Sequence, residues 1–181
     1  MINSDSVFNL FHLGGTSYSP KTEKSNGRLG LLALACTDGH IRILSIPLVE
    51  ELNRLSTDEL KVIKLKPIAI LDKHPTGPSV LNKSTICKSL SWSQTDGQRF
   101  MVAGYGNGLI STFDLQTKSS LLKKVNSLTG TIELKPNKNW IGHGACVNSI
   151  KWLPITGCRY IVSGGFDRYV KIWSLDDMSR F

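Results

Sequence analysis

Apolar residues along this chain come in short bursts, not in long helical stripes. Towards the C-terminus three bursts follow one another. Residues 146–152 are carried by Val147, Ile150 and Trp152, residues 159–162 by Tyr160, Ile161 and Val162, and residues 169–173 by Val170, Ile172 and Trp173. Runs this short and this rich in β-branched and aromatic side chains predict strands. Pro154-Ile155-Thr156-Gly157 and Gly164-Gly165-Phe166-Asp167 lie between them and have the composition of tight turns. The pattern predicts a three-stranded meander.

The same pattern recurs twice upstream. Tyr160 to Asp167 aligns without a gap with Phe100 to Asn107 and with Leu31 to Asp38. Asp167, Asn107 and Asp38 then share one position, Val170, Ile110 and Ile41 a second, and Trp173, Phe113 and Leu44 a third. Trp92 stands to the second repeat as Trp152 stands to the third, so Ile86 to Trp92 is expected to be a first strand. Val7 to Leu13 predicts the first strand of repeat one, Gly14 to Gly27 an exposed loop, and Gly30 to Ile46 two strands ended by Pro47. Leu48, Leu52 and Leu55 are spaced as one face of a short helix. Val62 to Leu71 reads as an outer strand, kept to a sheet edge by Pro67. Residues 72–85 read as a loop, Lys118 to Gly130 as a polar connection, and Thr131 to Leu134 as the fourth strand of repeat two.

Composition adds a frame. The 181 residues are 40% apolar, with a mean hydropathy of −0.08, which supports one packed domain. Met1 is followed by Ile-Asn-Ser-Asp-Ser, which predicts no signal peptide, and the apolar run at Leu29 to Cys36 is too short to span a bilayer. Cys36, Cys87, Cys146 and Cys158 lie far apart with no C-x-x-C pair, so neither zinc nor any cofactor is expected. Free thiols in strand-like runs suit a reducing compartment. The net charge of +8 collects in two stretches, one from Arg54 to Lys88 and one from Lys118 to Lys138, the second with Glu133 as its only acid. Contact with a polyanion is one reading, and a solvated surface is the other.

Two constellations bear on chemistry. His143, Ser163, Asp167 and Trp173 contain the residue types of a hydrolytic triad, but Ser163 lies between Val162 and Gly164, outside any G-x-S-x-G turn. The alternative is a structural chain, in which the indole N–H, the hydroxyl, the imidazole and the carboxylate satisfy one another. Gly104-Tyr105-Gly106-Asn107-Gly108 has the look of a phosphate loop, but Leu109 stands where the third glycine belongs and a strand follows it. No catalytic set emerges, so the chain reads as a non-enzyme.

The Gly142-His143 pair, the Ser163-Gly164-x-x-Asp167 turn and the strand ending at Trp173 resemble a WD40 repeat. The resemblance implies that His143, Ser163, Asp167 and Trp173 form the family's structural tetrad. The sequence departs from the family at Trp173-Ser174, where Trp-Asp is usual, and at Ala103 and Leu34, which hold the Ser163 position in the other repeats. The repeat offsets, about 60 and 69 residues, exceed the roughly 40–45 of a plain WD40 repeat, so loop insertions are expected. The implied fold is an all-β WD40 β-propeller with about three blades present, a partial ring and a piece of a longer chain, because rings typically close with four to eight blades. The domain is 1–181, with repeat one at about 7–71, repeat two at about 86–135 and an incomplete repeat three at about 142–181.

The order of Gly30 to Pro47, the leucine-rich insert, Val62 to Leu71, Met101 to Leu115 and the third repeat is similar to the WD40-repeat subunit of transcription factor IIIC. That resemblance implies a nuclear, non-catalytic scaffold in RNA polymerase III transcription of transfer-RNA genes. Its partners would be other subunits of such a complex. DNA would be met mainly through the complex, with direct contact by the lysine-rich loops as a variant, and no membrane would be involved. A generic adaptor, such as a ubiquitin-ligase receptor or a chromatin-binding propeller, is the alternative. Such receptors often carry Arg where Asp176 and Gln116 stand. Partner contacts are expected at the shared turn, on His40, Asn107 and Arg168, with Tyr105 and Phe166 beside it as aromatic anchors, unless both rings are buried.

Overall fold

The computed structural model describes residues 9–14, 28–47, 67–72, 86–93, 99–153 and 160–175. These form thirteen strands and, among the described residues, no helix. The helix expected from Leu48, Leu52 and Leu55 lies outside them. The strands group into three sheets. Sheet A contains β1 (Asn9–Gly14), β2 (Arg28–Ala35), β3 (Ile41–Pro47) and β4 (Pro67–Leu71), extended by β9 (Ile132–Leu134) and β8 (Lys123–Val125). Sheet B runs β10 (Lys138–Ile141), β7 (Leu109–Asp114), β6 (Phe100–Tyr105), β5 (Cys87–Trp92). Sheet C runs β11 (Val147–Trp152), β12 (Tyr160–Gly165), β13 (Val170–Ser174). The architecture is all-β, and the described strands close neither a barrel nor a ring.

The internal repeat is visible in the strand pairing. In sheet B Leu90 faces Ala103 and Met101 faces Phe113; in sheet C Ile150 faces Ser163 and Ile161 faces Trp173. The register slips at Cys87/Ser89 in one and at Val147/Ser149 in the other, at equivalent residues. Sheet A keeps the pattern, with Leu32 facing Leu44.

Period-two alternation sorts the core. On β6, Met101, Ala103 and Tyr105 turn towards sheet A and meet Ala33, Ile43 and Leu71, while Val102 turns the other way and joins Ile150 and Ile161 of sheet C. Sheet B is therefore covered on both faces. Phe100 stacks on Trp152 at 6.1 Å, and Trp140 meets Trp173 edge-on at 5.7 Å. Gly104 lets sheets B and C close together, because a Cβ there would run into Val147.

One strand assignment is corrected. The segment 131–134 does not complete sheet B. It becomes β9 and pairs in parallel with β4 of sheet A, Leu71 beside Leu134. Leu134 is buried in the A–B core, and Ile132 packs on it. The fourth strand of sheet B is β10, whose Trp140 carries apolar area into the B–C core. Of the expected outer strand Val62 to Leu71, the described part is β4.

Candidate functional site

Four side chains from β10–β11, β12, the β12–β13 turn and β13 meet at one end of sheet C. The Trp173 indole N–H donates to Ser163 Oγ at 2.8 Å, and Ser163 Oγ lies 2.8 Å from His143 Nε2. His143 Nδ1 lies 2.8 and 3.0 Å from the two Asp167 oxygens. An indole can only donate, so it fills one Ser163 lone pair and leaves the hydroxyl hydrogen available to Nε2. The Asp167 carboxylate can only accept, so His143 Nδ1 carries a hydrogen and donates to it. The carboxylate also accepts the backbone N–H of Gly144 and of Tyr169. Burial pushes the Asp167 carboxyl up, but the His143, Gly144 and Tyr169 donors outweigh it and hold its pKa at about 2.

Packing leaves little latitude around this chain. Ser163 and His143 are buried. A Cβ at Gly165 would collide with the His143 ring. The Gly108 carbonyl accepts the N–H groups of Gly142 and His143, which ties the segment to sheet B. Ser163 Oγ is bonded on two sides, by the Trp173 indole and by the His143 ring, inside a buried setting. Sheet B has Ala103 at the Ser163 position, inside the core.

The three turns share one geometry. Asp38, Asn107 and Asp167 each accept the N–H two residues on, from His40, Leu109 and Tyr169. The N–H groups of Gly39, Gly108 and Arg168 close equivalent turns onto Cys36, Tyr105 and Gly165. The residue donating that bond has a positive φ in every case: 87° at Gly39, 87° at Gly108 and 71° at Arg168. Arg168 holds a left-handed position that the other two repeats give to glycine.

The expected partner residues separate at this point. Phe166 is 69% exposed and Arg168 beside it is exposed. His40 is half-buried, with its ring 3.4 Å from both Asp38 and Asp72. Tyr105 is 2% and Asn107 9% exposed, so the expectation of contact surface at these two is corrected. The Tyr105 ring is part of the A–B core, and its phenol is pushed up by burial. Sequence reasoning missed Tyr169, Val170 and Ile172, which all stand exposed on and beside β13. Among the described residues no group of three or more His, Cys, Asp or Glu is placed to hold a metal, and no helix is long and apolar enough to cross a membrane.

No protein-family model matches the chain. It is 33% identical over 154 residues to General transcription factor 3C polypeptide 2 of Homo sapiens, and 32% identical over 154 residues to the protein of the same name from Pongo abelii. This similarity is homology. The match takes in 82% of this chain, and the chain spans 16% of the length of each relative. Among solved structures, the computationally designed Ika4 protein aligns with a TM-score of 0.46 at 17% identity, over 84% of this chain and 62% of that one. The designed Ika8 protein aligns with a TM-score of 0.47 at 17% identity, over 85% and 32%.

Proposed function

We propose that this chain is part of a WD40 β-propeller in a non-catalytic scaffold subunit of a transcription factor IIIC-type complex. It would act in the nucleus, in RNA polymerase III transcription of transfer-RNA and similar genes. The observation that carries this reading is the 33% identity across 82% of the chain to a transcription factor 3C polypeptide. The three sheets in one register and the shared turn support the propeller part of it. In this reading His143, Ser163, Asp167 and Trp173 are the structural tetrad of the third repeat. They make its turn rigid and so hold Arg168 and Phe166 at a fixed place on the rim.

Arg168 supports a contact role for that rim. A side chain in a left-handed turn costs stability relative to glycine, and such strain persists where a side chain is needed. Arg and aromatic residues also dominate interface energetics. DNA is met through the other subunits. The tagged full-length protein is expected to co-purify with transcription factor IIIC subunits and to occupy transfer-RNA genes in chromatin. Arg168→Glu is expected to weaken co-purification and leave the thermal unfolding transition in place. Co-purification with a ubiquitin ligase, or occupancy confined to other loci, would overturn the reading.

A further inference from the structure

The β8–β9 hairpin creates a cavity on the outer face of sheet A. Across four strands Arg42 pairs with Ile70, Ile70 with Glu133, and Glu133 with Lys124. Residues two apart on a strand share a face, so Leu122 and Lys135 lie one step along from Lys124 and Glu133. Together with the Leu121 wall this face encloses about 430 Å³, a volume in the range of ligand sites. Its apolar surface is Ile70, Leu121, Leu122 and Leu134, and Leu121 is 80% exposed. Its rim carries Lys124 and Lys135, both exposed, and neither forms an ion pair with a described residue. Arg42, by contrast, is already held by Asp38 at 2.6 Å. The surrounding stretch 118–138 has five lysines against Glu133 alone, and Val125 and Leu128 stand in water beside them.

We propose that this cavity is a docking site for an acidic, leucine-bearing peptide segment of a protein partner. An apolar side chain of that segment enters against Ile70 and Leu122, and its flanking carboxylates pair with Lys124 and Lys135. Charge complementarity selects the acidic flanks, and the exposed leucines select a protein over a nucleic acid. No Phe, Tyr or Trp lines the cavity to stack on a base. The site stands apart from the reading above and needs no other subunit for its test.

The probe is a capped, fluorescein-labelled peptide of alternating glutamate and leucine, titrated with the purified 181-residue chain and read by fluorescence anisotropy. Saturable binding is expected. Lys124→Glu combined with Lys135→Glu should weaken it about tenfold or more, because both partners of the carboxylates reverse sign. Leu121→Ser should weaken it about threefold through lost apolar contact. Glu133→Gln should strengthen it about twofold by removing a like charge. These positions lie at the surface, so circular dichroism melts of the variants should match the parent. The proposal is overturned by absent binding, by unchanged affinity in the double reversal, or by equal binding of a glutamate–serine peptide. It is also overturned if duplex DNA displaces the peptide and itself depends on the same two lysines.

Discussion

Arg168 shows how one residue can trade stability for contact. Its backbone adopts the conformation that Gly39 and Gly108 adopt in the equivalent turns. A left-handed non-glycine residue costs on the order of 1 kcal/mol. Arg168→Gly is therefore expected to raise the urea midpoint by about 1 kcal/mol of stability while weakening association with partners. A lowered midpoint would mean that the side chain contributes packing that outweighs the strain. Asp167 gives the pH counterpart. Its carboxyl titrates at about 2 when folded, against 3.8 in an ordinary setting. The unfolded chain takes up the proton first, so this stabilisation is complete above about pH 4 and fades as pH falls towards 2. Urea midpoints measured across that window should fall for the parent and fall less for Asp167→Asn. Sequence alignment placed Tyr105 and Asn107 at the same turn as Phe166 and Arg168, yet the first pair is buried and the second exposed. The two pairs share the turn but not the positions within it: Tyr105 aligns with Gly165 and Asn107 with Asp167, and the Tyr105 ring goes into the core between sheets A and B. That is a fact about neighbours, which local sequence does not carry.

At the scale of the strand, alternation predicted existence better than partnership. The bursts at 100–105, 109–114, 147–152 and 170–174 became strands close to where the pattern put them. Thr131 to Leu134 was also legible as a strand, because Ile132 and Leu134 flank Glu133. The same alternation fits an antiparallel place beside β7 and a parallel place beside β4. The parallel place prevails because it drops Leu134 into the A–B core, while Trp140 on β10 fills the space next to Trp173. Leu134→Ala is expected to cost about 2–5 kcal/mol by leaving a cavity. Hydrogen exchange should locate the damage. The Asp72 N–H, bonded to the Leu134 carbonyl at 2.7 Å, should lose protection before the amides of β6 do. Uniform loss across all three sheets would show that the hairpin is not a separate unit.

Across the whole molecule the two faces of the stack differ. Ile110 and Thr112 on β7 are buried, whereas their counterparts Val170 and Ile172 on β13 are exposed, Ile172 by 68%. Phe166 and Tyr169 in the preceding turn are exposed as well, so apolar area on and beside β13 is left uncovered. Exposed apolar strand edges of this kind drive association. Sedimentation of the isolated chain should reveal concentration-dependent oligomers, and Val170→Lys with Ile172→Lys should shift it to monomer. A parent chain that stays monomeric at every concentration would mean that this surface has no such role. The repeat itself was legible from the sequence, since the three turns align without gaps. That the last sheet keeps an open flank followed from a partial ring, but that Val170 and Ile172 stand in it did not, because they match the residues of a buried strand.

The parallel joint between β4 and β9 has a consequence for the chain in two pieces. The polypeptide leaves sheet A after β4, lays down β5 to β7, and returns with β8 and β9. The segment that carries sheet B is thus tied to β1–β4 by the β4–β9 pairing and by a shared core as well as by the covalent link. A nick between Asp72 and Ile86 removes only the covalent link. One fragment then ends just past β4 with its edge unpaired, and the other carries the β9 that fits it. Each half is a ligand for the other, and the two expressed as separate polypeptides should find one another and reassemble as a split protein.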